Sequence, residues 1–209
     1  MPTFRLERAF RQNNPDAVIA GIDEAGRGPW AGPVTAGAAI LDADALPEDL
    51  AQQIDDSKKL SAQTREDVFT KMQSCGAVML GLGEASVREI DTLNILRATH
   101  LAMSRALENL GRKVDVALVD GNRAPRLSCA VQTIIKGDSL SLSIAAASIA
   151  AKVTRDRVMA QLARAHPGYG WNTNMGYGTA EHAEALKRLG VTAHHRRSFA
   201  PVKLLLQNF

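Results

Sequence analysis

Cysteine is scarce in this chain of 209 residues: Cys75 and Cys129 lie far apart and without metal-ligand spacing. A disulfide framework and a thiolate zinc site are thereby set aside, and both are expected to be small buried residues in a reducing compartment. No apolar stretch approaches the ~20 residues that a membrane span needs. The N-terminus, MPTFRLERAFRQNN, is polar and charged and lacks the hydrophobic core of a signal peptide. The expected location is cytoplasmic, with no membrane association. No charge of one sign prevails, since 25 basic against 22 acidic residues leave a formal +3, which neither demands nor excludes nucleic acid. Internal repeats and low-complexity tracts are also missing. At 45% apolar and 22% charged residues, neither disorder nor a coiled coil is indicated. What remains is one medium domain with a small appendage, able to bury a proper core.

What the chain does contain is organised around Val18 to Ile40, VIAGIDEAGRGPWAGPVTAGAAI. An apolar run, Val18 to Ile22, reads as a buried strand ending on Asp23 and Glu24. A small-residue turn follows, and a second strand runs from Val34 to Leu41. Buried acids are expensive unless a partner neutralises them. Neighbouring strand residues also point to opposite faces, so both acids cannot turn to water on one side. Two readings stand: acids capping a surface turn, or a metal site beside a glycine-rich nucleic-acid contact.

Further along, Ser61 can cap a helix reaching about Met72, stopped by Gly76. Ala77 to Glu84 is a strand, and Ser86–Glu89 fits a capping box. One long helix is expected from about Thr92 to Leu110, with His100 on its apolar stripe as a satisfied core histidine. Val114 to Asp120 and Ala130 to Ile135 are strands, each followed by an acid and glycine nearby. Leu140 to Ala165 is helical, opened by Ser139 or Ser141, and its many small residues permit close approach to a sheet. A Gly/Asn/aromatic loop, 168 to 178, leads to a helix from Ala180 to Leu189 capped by Thr179, and the chain closes with a short helix, Val202 to Leu206. Alternating strands and helices argue an α/β layer fold. The first two strands are joined too tightly for a crossover, so they are antiparallel and the sheet is mixed.

Asp23, Glu24, Asp120 and Asp138 each follow an apolar run. If their strands are neighbours, they converge, and such close like charges require a cation between them. Hard oxygen ligands without cysteine or histidine suit Mg²⁺ or Mn²⁺. Carboxylates on several strand ends are what two-metal phosphodiester hydrolysis uses. Gly26-Arg27-Gly28 does not make a dinucleotide site, because Pro29, Gly32 and Pro33 follow at the wrong spacing and then a strand. Its bare backbone can instead approach a sugar or phosphate closely.

DEAGRGP (23–29), DSKKL (56–60), VDG (119–121), KGD (136–138), SIAAASIAAKVTRD (143–156), GYGT (176–179) and HHRRSFAPV (194–202) resemble, in order, the bacterial ribonuclease HII family of type 2 ribonucleases H. The resemblance implies a ribonuclease H-like mixed five-stranded sheet flanked by helices, with a small helical C-terminal part. It divides the chain into a catalytic core, residues 1–165, and a C-terminal helical extension, 166–209, that is placed on the core and contacts substrate. Asp23, Glu24, Asp120 and Asp138 would be the catalytic metal ligands, with Mg²⁺ or Mn²⁺ as cofactor. Gly26, Arg27 and Gly28 would recognise the ribose at the cleavage junction, and Tyr177 would lie on the adjacent sugar and help sense the 2′-OH. The implied substrates are RNA/DNA hybrids and duplex DNA containing ribonucleotides, cut 5′ to a ribonucleotide to leave 3′-hydroxyl and 5′-phosphate ends. No protein partner is evident, and a monomer is the default.

Alternatives accompany several of these assignments. Arg27 could serve in a structural ion pair, leaving recognition to its backbone. Tyr177 and Trp171 could pin the tail to the core. Ser57 and Lys58 could bind phosphate or form a surface turn. Lys152, Arg155, Arg196 and Arg197 are expected to line a path for DNA phosphates. Met175 stands where the family pattern suggests a lysine, which removes one phosphate contact. Two rival functions remain: a type 1-like hydrolase needing several consecutive ribonucleotides, and a non-catalytic hybrid-binding protein.

Overall fold

Paired along both edges, the run at Ile19 becomes the centre of a sheet. The structure, a computed structural model, describes residues 1–12 and 14–207, so the last two residues of the expected C-terminal extension lie outside the described residues. Strand β1 (Ile19–Ala25) pairs antiparallel with β2 (Val34–Leu41), which pairs antiparallel with β3 (Val78–Ala85). On its other edge β1 runs parallel to β4 (Val116–Asp120), and β4 parallel to β5 (Ala130–Ile134). The order is β3-β2-β1-β4-β5, the mixed five-stranded sheet that the resemblance implies. Asp23 and Glu24 lie inside β1, paired with Gly37 and Ala36, and not beyond its end.

Helices cover both faces. Ala36 and Ala38 of β2 join a cluster with Ala98, Ala102 and Ala106 of α5 (Ile95–Glu108). Ala39 and Leu41 join another with Val68 and Phe69 of α3 (Ala62–Ser74) and Ala146 and Ala150 of α6 (Leu142–Ala165). The small-residue run of α6 does bring it close to the sheet: a Cβ at Gly37 would run into the Ala147 carbonyl, and one at Gly21 into the backbone of Ser143 and Ile144. This alternation also separates the paired acids. Residues 20 and 22 of β1 face the α5 cluster, so Glu24 follows them, whereas Asp23 shares the α6 side with Gly21.

Several local expectations meet their caps. Ser61 accepts from the Thr64 amide, Ser86 and Glu89 form the capping box of α4 (Val87–Leu93), Ser141 caps α6, and Thr179 caps α8 (Ala180–Leu189). The single helix expected over 92–110 is broken at Asn94, whose φ of 73° interrupts α4 and whose side-chain oxygen accepts from the amides of Leu96 and Arg97 to start α5. With ψ at 163°, that backbone lies in a region that residues other than glycine rarely adopt. Helices α1 (Arg5–Arg11), α2 (Glu48–Gln53) and α7 (Trp171–Asn174) were not expected; α7 sits inside the 168–178 loop. Buried Glu7 ties α1 to the start of α6, accepting from Ser141 Oγ (2.6 Å), Ser143 Oγ (2.7 Å) and the Ser143 amide (3.0 Å). The tail ends in α9 (Ala200–Gln207). Cys75 and Cys129 are free thiols, half-buried and not fully enclosed.

Candidate active site

Because β1, β4 and β5 are parallel, their C-terminal ends lie side by side, and the acids there meet. Asp23 of β1, Asp120 at the end of β4 and Asp138 in the 3-10 turn Gly137–Ser139 after β5 each offer an oxygen within 4.8 Å of the others. The Gly137 amide donates to Asp120 Oδ1 at 2.6 Å, an approach set up by Lys136 in the left-handed region (φ 57°). Asp23 accepts from the Glu24 amide at 2.7 Å.

Burial raises the Asp23 carboxyl well above its ordinary range, and the neighbouring charges of Glu24 and Asp120 push it the same way; a hydrogen bond from Ser148 opposes them. Burial also raises Asp120, partly offset by the Gly137 amide, and raises Glu24, partly offset by Arg27. Lys58 supplies the nearest cation, with Nζ 2.8 Å from Asp138 Oδ2. Against the cost of burial, that hydrogen bond and the surrounding acids hold its ammonium above the usual range. An all-oxygen set whose charges are short of compensation fits a hard divalent cation. Glu24 stands apart from the three-acid group: its carboxylate pairs with Arg27 Nη1 at 3.3 Å, the structural ion pair that was one reading of Arg27.

Asp23, Glu24 and Asp120 open onto a cleft of about 330 Å³ lined also by Gly26, Arg27, Gly28, Ser57, Lys58, Lys152 and Tyr177. Gly26 takes φ +93° directly against Arg155, where any Cβ would collide with the guanidinium. Across the cleft, a Cβ on Gly28 would come within 3.3 Å of the Tyr177 ring, which is 49% exposed. Trp171, by contrast, is fully buried and stacks 4.9 Å from Tyr169, so it pins the tail while Tyr177 faces out. Ser57 lines the cleft but is buried, its hydroxyl 2.9 Å from Ser148 Oγ, and its turn is held by Arg65 donating to the carbonyls of Ser57 and Leu60. Met175, at φ 49°, belongs to the tail cluster with Trp171 and Leu186.

Two expectations need correction. Arg155 and Arg196 do not offer free charges to a DNA path: Arg155 backs the cleft wall and Arg196 lies behind it, they are 1% and 0% exposed, and their guanidiniums donate to main-chain carbonyls. Runs of basic residues resemble a solvated face in sequence, but here distant carbonyls collect around two of them. Lys152 remains at the cleft, bonded to Asp156 at 2.6 Å, and Arg197 remains exposed while its amide donates to Asp91. His100 is not a core residue either; it is half-buried and lines a cavity of about 100 Å³ with Glu24, Arg27 and Asp120. Ser148 was missed, its small side chain having been read as packing. The signal was present, because Ser148, Lys152 and Arg155 recur at helical spacing along one face of α6.

The family model described as Ribonuclease HII matches residues 20–202. A Ribonuclease HII of Paramagnetospirillum magneticum is 60% identical over 202 residues, covering 97% of each chain. One of Rhodospirillum rubrum is 58% identical over 203 residues, 97% of this chain and 91% of that one. Among solved structures, the ribonuclease H2 of Pyrococcus horikoshii superposes with a TM-score of 0.75 at 28% identity, covering 91% of this chain and 97% of that one. A Bst ribonuclease HIII in complex with Mn²⁺ gives 0.74 at 21% identity over 92% of this chain and 70% of that one, a likeness of fold.

Proposed function

The chain belongs to the ribonuclease HII family, and from that premise we propose an endoribonuclease that hydrolyses the RNA strand of RNA/DNA hybrids and cuts 5′ to single ribonucleotides in duplex DNA. It is a hydrolase of the nuclease class. The observation that carries the finer reading is the meeting of Asp23, Asp120 and Asp138 beside a cleft walled by Gly28 and Tyr177.

In this reading Asp23, Asp120 and Asp138 would hold Mg²⁺ or Mn²⁺, and Glu24 would be a fourth ligand. Divalent ions held there would supply an activated water and stabilisation of the leaving oxygen, and the expected ends are 3′-hydroxyl and 5′-phosphate. The chain's own groups do the rest. Ser148 favours the charged form of Asp23 against the effect of burial, and the Gly137 amide orients Asp120. Lys58 neutralises Asp138 and, from the same side of the cleft, would be placed to meet a phosphate. The backbone of Gly26, Arg27 and Gly28 meets the ribose from one side and Tyr177 from the other. Ser57 acts through Ser148. Residues 1–165 form the catalytic core, and the extension from residue 166 brings Tyr177 to the substrate.

The test is a duplex carrying one ribonucleotide and another carrying four, each incubated with Mg²⁺ or Mn²⁺ and resolved on a denaturing gel. Cleavage 5′ to the lone ribonucleotide is expected; an intact strand there, with cutting at four, overturns the type 2 reading. Asp23→Asn and Asp138→Asn should each lower turnover by about a hundredfold or more, since the ions are worth several kcal/mol at about 1.4 kcal/mol per tenfold. Binding to the duplex should persist in both variants, and undiminished turnover would remove these residues from the assigned role.

A further inference from the structure

We infer that the buried pair Arg155 and Arg196 sets how strictly the cleft reads its ribonucleotide, acting as positioning residues for both of its walls. This rests on the reading of the cleft given above.

Arg196 donates through Nη2 to the Gly26 carbonyl (2.6 Å) and the Pro33 carbonyl (3.0 Å), through Nη1 to that of Arg27 (2.9 Å), and through Nε to that of Gly32 (2.9 Å). Arg155 donates through Nε to Pro33 (3.1 Å), through Nη2 to Ala31 (3.2 Å) and through Nη1 to Met175 (3.0 Å). Every partner is a main-chain oxygen. Among the described residues neither arginine has a carboxylate within 4.0 Å. Two guanidiniums buried together without a counter-ion are a costly way to hold a fold, because desolvation is not repaid by an opposite charge. Burial and the charge of Arg155 push Arg196 down to about 9.

What the pair fixes is direction. In a trans peptide the carbonyl and the following amide point opposite ways. With the Gly26 and Arg27 carbonyls drawn inward to Arg196, the amides of Arg27 and Gly28 turn away from it. Arg155 fills the space beneath Gly26 and, through Met175, holds the approach to Tyr177. The second wall is tied to the first by the Trp30 amide donating to the Gly176 carbonyl (2.8 Å) and the Arg196 amide donating to the Trp30 carbonyl (2.7 Å). His182 Nδ1 fixes the Tyr177 carbonyl at 2.9 Å. The spacing between turn and ring is thus set by two buried side chains whose guanidinium hydrogen bonds all go to main-chain carbonyls. A site that reads a hydroxyl by hydrogen bonds discriminates steeply only while its donors are held in place.

The test uses the full-length protein and its Arg196→Lys and Arg155→Lys variants, with kcat and KM on the one- and four-ribonucleotide duplexes and a melting midpoint for each. Arg196→Lys is expected to lower kcat on the one-ribonucleotide duplex by about tenfold to a hundredfold, the scale of a misplacement of roughly 1 Å. The loss on four ribonucleotides should be smaller, because several registers offer a hydroxyl to a loosened cleft. Arg155→Lys should act in the same direction and carries the test if Arg196→Lys does not fold. An unchanged ratio of kcat/KM between the two duplexes in the folded variants overturns the inference. Equal losses on both duplexes that follow a fallen midpoint also overturn it, since they mark a structural role alone. If the parent protein leaves the single ribonucleotide uncut, the proposed function fails and takes this inference with it; if the parent cuts and the ratios hold, only this inference fails.

Discussion

The imidazoles of His182 and His195 meet Nε2 to Nε2 at 3.1 Å, which two charged rings could not do. The hydrogen bonds define a single order of protons. His182 Nδ1 donates to the Tyr177 carbonyl, so its Nε2 accepts from Trp171 Nε1 and from His195, whose Nδ1 accepts from the amide and hydroxyl of Thr192. Burial first, and then the nearby histidines, push His195 down to about 3. In the unfolded chain it takes up a proton below about 6.5. The unfolded state therefore binds the extra proton between about 6.5 and 3, so this contribution to stability is complete above that window and is lost as pH falls through it. Urea midpoints measured from pH 7 down to pH 5 should fall in the parent protein and fall less in His195→Gln, with a difference of at most about 1.4 kcal/mol per pH unit. Parallel lines for the two proteins would show that His195 does not govern the loss.

At the scale of elements, the contact between α6 and the sheet is the most sharply defined. Gly37→Ala would drive a methyl group into the Ala147 carbonyl, where backbone and not a flexible side chain must give way. A loss of about 1–3 kcal/mol is expected from such overpacking, read from the denaturant midpoint; an unchanged midpoint would show that α6 lifts freely. The strands, the caps at Ser61, Ser86, Ser141 and Thr179, and the close approach of α6 were legible in sequence because each depends on residues a few positions apart. Other features were not. The break at Asn94 overrides an apolar stripe that runs straight through it, and β1 extends past Ile22 because β2 offers partners to Asp23 and Glu24. Of the candidate site, the acids could be read from their strand ends. The burial of Arg155 and Arg196 could not, because their acceptors lie up to 170 residues away and no local pattern announces a pocket of carbonyls.

For the whole molecule, these long-range bonds make core and tail one body. Trp171 is buried in the tail cluster, where Ala31 and Trp30 from the core meet Met159 of α6 and Leu186 of α8. Both tryptophans of the chain therefore report on that junction, whereas far-UV circular dichroism reports on all helices and strands. The two signals should trace a single coincident transition in denaturant. Fluorescence that changes at lower denaturant than ellipticity would mean that the tail detaches first.

The reach of Arg196 also gives the molecule a chronology. The chain leaves the ribosome from its N-terminus, so the turn at Gly26 to Gly28 and the acids at 23, 120 and 138 all emerge before residue 196 exists. Until then the carbonyls of Gly26 and Arg27 lack the donor that orients them. The acid cluster is made before the arginine that orients the turn beside it, so a chain halted short of residue 196 lacks the donor for two of the carbonyls in that turn.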